Sequence, residues 1–229
     1  MDSPPTNNID TTPEPPPRAA ALLLISAHCP HCQAALSRLS TLVKEGVIRR
    51  LTVINLSSEP DAPEAAGVRS VPWTRIGPFE LSGALTGEEL SEWAEIAAGD
   101  GGWGRYYAHL IETHRLAVVI DSIGSRPHTL QDLITLFADT QTPLSVRIGI
   151  SAIMEGLAGT EILRDTVPEL IQLTLSPSHQ IRADACYFIG LAGDPAALPS
   201  IERLLDDEQP EVREVATEIT VLLQGAEGA

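Results

Sequence analysis

Four turn-forming residues, Gly99-Asp100-Gly101-Gly102, separate two stretches whose apolar residues repeat with different periods. This change of period limits what the chain can fold into more than any other feature. Before the break, short unbroken apolar runs alternate with helical patterns. After it, every apolar stretch follows helical spacing. A chain of 229 residues is long enough to bury two cores. The break therefore reads as the boundary between an α/β domain and an all-α domain.

In the first stretch, residues 20–26 form an unbroken apolar run, suited to a strand buried on both faces. Ala34, Ala35, Leu36, Leu39, Leu42 and Val43 follow at helical spacing, and Gly46 stands where a C-terminal cap belongs. Residues 47–56 return as a second apolar strand, with Ile48 and 51–56 as its best part. A helix between two strands makes them parallel neighbours joined by a right-handed crossover. An acidic, proline-containing loop over 57–63 leads to a short helical turn ending near Gly67. Residues 71–76 and 79–82 then read as an antiparallel hairpin about Gly77-Pro78. Thr86, followed by Glu88 and Glu89, opens a last helix whose apolar stripe is Leu90, Trp93, Ala94 and Ala97.

The second stretch contains an internal repeat. Val146-Arg147, Ile181-Arg182 and Val212-Arg213 recur at steps of 35 and 31 residues, each opening an amphipathic helix over 148–157, 183–191 and 215–223. Partner helices are expected over 130–138, 166–175 and 196–205. One such hairpin cannot bury its apolar face alone, so the hairpins are expected to stack. Trp103, Tyr106 and Tyr107 follow the glycines and would pack the first helix or seal the boundary between domains.

The formal net charge of -16 is shared by both stretches, with 7 basic and 13 acidic residues before Arg105 and 8 and 18 from there on. Such a surface disfavours nucleic acid and anionic lipid, and leaves basic protein surfaces as the expected partners. No apolar run approaches the roughly 18 residues needed to cross a membrane. Residues 1–18, rich in Pro, Thr and Asp, read as a disordered tail. The apolar run over 19–25 has an acidic flank, no small-residue cleavage site before the cysteines, and His28 directly before Cys29. It therefore resembles neither a secretory nor a lipoprotein signal, and a cytoplasmic location is expected. No residue pattern sets an oligomeric state.

Of three cysteines, two are spaced Cys29-Pro30-His31-Cys32, which suits a redox or metal site with one further thiol rather than a disulfide framework. At a strand-to-helix junction Cys29 would sit in the first helical turn, where unpaired N–H groups and the helix dipole favour a thiolate. Cys29 is then the nucleophile, and Cys32, one turn further in, resolves the mixed disulfide. Pro30 is tolerated because its missing N–H would have no helical partner. His31, between the sulfurs, would stabilise the thiolate and make the disulfide more oxidising. Metal binding is the rival reading, since His28, Cys29, His31 and Cys32 are all ligand types. Consecutive positions cannot all face one tetrahedral ion, however, and no second pair stands at zinc-finger spacing. No metal and no cofactor are expected; an inert pair is the third reading. Cys186, beside Ala185, Tyr187 and Phe188, reads as a buried small hydrophobe. His109, His114, His128 and His179 read as surface or helix-end residues. Asp206-Asp207-Glu208 reads as a solvated loop, since it lacks the alternating ligands and central glycine of a calcium loop.

With the cysteine pair between strand and helix, the first stretch resembles the thioredoxin superfamily, and its tetrapeptide is similar to that of the DsbA family of disulfide oxidases. Val71-Pro72, about 40 residues after the pair, resembles the family's cis-proline. The resemblance implies that Val71 offers its backbone to a substrate chain, with Pro72 and Trp73 lining the same groove. Three departures stand out. His28 occupies the position usually held by tryptophan, Leu23 that of the buried acid, and 59–70 is too short for the DsbA helical insertion. The expected fold is a trimmed thioredoxin.

In the second stretch, residues 190–199 (GLAGDPAALP), Leu204 to Asp207 and Val212-Arg213 resemble the short HEAT-like repeats first noted in phycobilin lyases. That resemblance implies that Asp184, Arg182 and Arg213 bridge neighbouring repeats. The expected organisation is a tail over 1–18, a thioredoxin-like domain over 19–100, and a HEAT-like solenoid over 105–229. The implied function is an enzyme, a thiol–disulfide oxidoreductase acting through Cys29, Cys32 and His31, with the repeats recruiting its protein substrate or redox partner. The alternative is an interaction scaffold carrying a redox-sensing module.

Overall fold

The computed structural model describes residues 18–99 and 101–226, so the expected tail lies outside the described residues except for Arg18. The chain divides between Gly102 and Trp103 into two compact units.

The first unit is built on one four-stranded sheet with strand order β2-β1-β3-β4, formed by β1 (Ala20–Ile25), β2 (Arg50–Asn55), β3 (Trp73–Ile76) and β4 (Phe79–Ser82). As the crossover argument requires, β1 and β2 are parallel, with Ala20 opposite Arg50 and Ile25 opposite Asn55. β3 returns antiparallel to β1 and pairs with β4 through a two-residue turn whose first residue, Gly77, has φ 57°. The run in β1 is unbroken because both of its faces are covered over Ala21 to Leu24. Successive side chains point to opposite faces. Leu23 lies on the side of helices α1 (Cys32–Lys44) and α2 (Gly87–Ile96). Leu22 and Leu24 join Ile54 and Trp73 under an apolar lid of Leu56, Ala62, Ala65, Val68 and Val71.

Both helices carry the end signals read from the sequence. Gly46 takes φ 74° and donates to the Val43 carbonyl at 3.0 Å, while Val47 N–H reaches the Leu42 carbonyl at 2.9 Å. This is the double closure that a left-handed glycine permits. Thr86 and Glu89 form a reciprocal capping box at the start of α2. The expected second strand is shorter than its apolar run. β2 is an edge strand, so of its residues only Ile54 is buried, while Ile48 packs into the core ahead of it.

The second unit is helical throughout its described residues: α3 (Trp103–Glu112), α4 (Leu116–Ser125), α5 (Leu130–Ala138), α6 (Leu144–Gly156), α7 (Glu161–Arg164), α8 (Val167–Leu173), α9 (His179–Ala192), α10 (Leu198–Glu202) and α11 (Pro210–Ala226). Helices α6, α9 and α11 each begin two residues before the repeated dipeptide, and Val146, Ile181 and Val212 are all buried. Each repeated arginine donates through Nη1 to a carbonyl at the end of the preceding element. Arg147 reaches Phe137 at 2.7 Å, Arg182 reaches Ser176 at 2.9 Å, and Arg213 reaches Asp207 at 2.6 Å. Helix ends leave carbonyls without an internal partner, and a charged donor satisfies them strongly. Helices α3 and α4 precede the repeat and are not marked by its spacing. There Trp103, Tyr106 and Tyr107 stack at centroid distances of 5.8–6.2 Å, and Tyr107 shares its hydroxyl with Ser122 and Thr129.

Arg182 reaches the next hairpin as expected, where its partner is Asp207, through paired contacts of 2.8 Å from Nε and Nη2. Two expectations need correction. Asp207 also accepts from Gln209 N–H, so it is not part of a solvated acidic loop. Its carboxyl is held below the ordinary range, chiefly by the hydrogen bond from Arg182. Asp184, on α9, lies near Arg147 on α6, and burial raises its pKa. Arg213, for its part, bonds within its own hairpin.

Removing one member of the Arg182–Asp207 pair leaves the other charge desolvated. Asp207→Ala is therefore expected to lower the unfolding free energy of the helical unit by about 3 kcal/mol, measured by urea titration. Because the folded pKa of Asp207 is lowered, this contribution is present above the unfolded carboxylate range and is lost as the pH falls through the folded value. The difference between wild type and Asp207→Ala should shrink below about pH 4.

Candidate functional site

The site is built where β1 ends. After Ile25 the chain turns through 26–31 and enters α1 at Cys32. Two contacts hold this turn to the neighbouring loop: Ser57 Oγ accepts from Ala27 N–H at 2.9 Å, and Leu56 N–H donates to the Ile25 carbonyl at 2.9 Å. Asn55 shapes that loop by accepting from Ser57 N–H through Oδ1 at 3.0 Å. Neither Asn55 nor Ser57 is singled out by sequence reasoning. The Asn-x-Ser spacing at the end of β2 is the signal that identifies them.

Cys29 and Cys32 form a disulfide with their Cα atoms 5.5 Å apart. Cys29 is not within the first turn of the helix, as expected from sequence, but three residues ahead of it. Its carbonyl accepts the N–H of Cys32 at 3.4 Å, and its own N–H donates to Ser26. The helix starts at Cys32, and the carbonyl of His31, the N-cap residue, accepts the first helical bond from Ala35. The side chain of His31 makes no capping bond, so the first-turn amides receive no acceptor from it. An anion at Cys29 would face this positive helix end.

The two sulfurs differ in access. Cys29 is half-buried, whereas Cys32 is 4% exposed. His28, Pro30 and His31 are exposed around them. Across the turn the Val71–Pro72 peptide bond is cis, and the Cys29 sulfur lies 3.7 Å from the Val71 carbonyl oxygen. With the disulfide formed that sulfur carries no proton, so this is a packing contact. Pro72 is buried and Val71 half-buried. Trp73, expected to line a surface groove, is instead buried in the cluster of Leu22, Leu24 and Ile54. The structure thus brings Cys29, Cys32 and Val71 together, with Val71 packed against the buried cluster that contains Trp73, the first residue of β3.

Cys186 lies apart from this group, within α9, fully buried and with its thiol pushed up to about 12 by burial. Among the described residues no group of three or more His, Cys, Asp or Glu side chains is placed to hold a metal ion, and no helix is long and apolar enough to cross a membrane. No protein-family model matches the chain, and no curated protein matches it.

After mild reduction the three thiols should separate by access. Cys29 should be alkylated first and Cys32 more slowly, while Cys186 should stay unmodified until denaturant is added. Peptide mapping by mass spectrometry checks this order; early modification of Cys186 would contradict the burial described.

Proposed function

We propose that this protein is a thiol–disulfide oxidoreductase that acts on protein partners through Cys29 and Cys32. The observation that carries the proposal is the unequal access of the two sulfurs at a strand-to-helix junction, with the more open one against the Val71 carbonyl. The resemblance to the thioredoxin superfamily is supported by the strand order β2-β1-β3-β4, the parallel and antiparallel pairings, the paired helices on one face, and the cis bond before Pro72. On this reading the thioredoxin-like domain spans 19–100 and HEAT-like repeats span 105–229. The repeated arginine contacts at Arg147, Arg182 and Arg213 support the second assignment.

The chemistry conserves electrons between two pairs of sulfurs. In the reducing direction the Cys29 thiolate attacks a partner disulfide, forming a mixed disulfide and expelling one partner thiolate, which takes a proton. The Cys32 thiolate then attacks the Cys29 sulfur, closing the pair and releasing the second partner thiolate. Two electrons pass to the partner, and the reverse sequence oxidises a partner dithiol. Val71 and Pro72 form the ledge on which the partner's backbone rests. Trp73 fixes that ledge from beneath, and His31 stabilises the Cys29 thiolate. The helical repeats recruit the partner, and the work is done in the cytoplasm.

A scaffold with a redox-sensing module is the second reading. It is favoured by the open apolar side chains of Leu144 and Ile148, 73% and 63% exposed, beside a groove of about 640 Å³ on α6 and α9.

Cys29→Ser should abolish exchange with a model disulfide, whereas Cys32→Ser should accumulate a mixed disulfide visible on a non-reducing gel. The pair should equilibrate with glutathione buffers at a potential between about -120 and -270 mV. Full exchange activity in Cys29→Ser would overturn the enzyme reading. Partner binding that survives loss of both cysteines, with no turnover by the wild type, would establish the scaffold.

A further inference from the structure

The apolar lid covers only the part of the sheet face nearest the cysteines. At the other end of β1 the same face is open, and a groove of about 540 Å³ lies there with Ala20 and Thr52 in its lining. Arg18, Arg49, Arg50 and Arg75 all line it, four of the seven basic residues that precede Arg105. All four are exposed, and among the described residues no carboxylate forms an ion pair with any of them. One acid, Glu64, shares the lining, and Glu80, opposite Arg75 on β4, lies beyond ion-pair distance of it. In a chain of net charge -16 these guanidinium groups form a local reversal of sign.

We propose that this groove binds an extended acidic segment of a partner protein. The strand register supports an extended ligand. Arg50 stands opposite Ala20 and Arg75 opposite Leu22, on the two strands flanking β1, so both side chains share one face and are offset by two positions. That offset is about 7 Å along the strand and about 10 Å across it. A single compact oxyanion cannot span both bases of the groove. An extended peptide with carboxylates at alternate positions repeats every 7 Å or so on one face, which matches the offset. Arginine suits the task because its planar fork holds a carboxylate through two parallel bonds.

The groove is broad and its floor holds small side chains, so charge rather than enclosure supplies the binding. A long polyanion such as a nucleic acid would run from the arginines onto an acidic surface and be repelled. A short acidic stretch would not. The guanidinium of Arg18 lies where a side chain at Gly46 would stand, beside the carbonyl end of α1, where positive charge is favoured. The proposal is independent of the redox reading, since the groove lies at the opposite end of β1 from Cys29.

The test uses the full chain and a fluorescently labelled peptide of alternating glutamate and serine, with fluorescence anisotropy as the readout. Binding is expected at low ionic strength, weakening as salt is added. Arg50→Glu with Arg75→Glu should weaken it by about tenfold or more. The charge-matched control, Arg164→Glu with Arg203→Glu on the helical unit, should leave it unchanged. Arg50→Gln with Arg75→Gln, at the same exposed positions, should also weaken it while still forming the Cys29–Cys32 disulfide. Absence of binding, equal loss in the control, or tighter binding of inorganic pyrophosphate or an oligonucleotide than of the peptide would overturn the proposal.

Discussion

Everything in the first unit depends on the burial of β1. It is hydrogen-bonded to β2 on one side and β3 on the other, and its side chains enter apolar surroundings on both faces. Backbone polar groups removed from water must be paired, and the two flanking strands pair them. The strand is therefore the least adjustable element of the sheet. The turn that follows it inherits a fixed origin. Cys29 can approach the Val71 carbonyl because β1 and β3 are neighbours in register, with Leu24 opposite Trp73. The open groove at the other end of the strand owes its arginines to the same register.

The difference between the two cysteines is a consequence of where the helix begins. Cys32 is the first helical residue and one turn of α1 shields it, whereas Cys29 stays in a turn held by Ser57 and Leu56. His31 marks that start by backbone chemistry, offering the first helical carbonyl. Access and electrostatics thus come from the same four residues.

In the helical unit a single device recurs. An arginine at the start of the second helix of each hairpin returns to a carbonyl at the end of the preceding element, closing the connection from inside. Glycine supports the packing between these helices. A side chain at Gly149 would collide with Ile111, and one at Gly190 with Ile219. Helix surfaces then meet at short range, where dispersion contacts accumulate. Arg182 adds a bond to Asp207 that joins one hairpin to the next.

Much of this was legible in the residues themselves because the signals are local. The strand over 20–26, the capping of α1 by Gly46, the capping box at Thr86, the Gly77-Pro78 turn, the cysteine spacing and the 31- to 35-residue repeat all rest on periodicity or on backbone chemistry within a few residues. Tertiary structure alone decided which side chains meet. Asp207 answers Arg182, a pairing that spans 25 residues and depends on how one hairpin lies on the next. Trp73 is turned inward by the loop that closes over it. Four arginines scattered from position 18 to position 75 converge because the strand order places β2 and β3 on either side of β1. Local preference acts over one turn of chain, whereas these contacts are set by burial and register across the whole sheet or stack, which no short stretch of sequence contains.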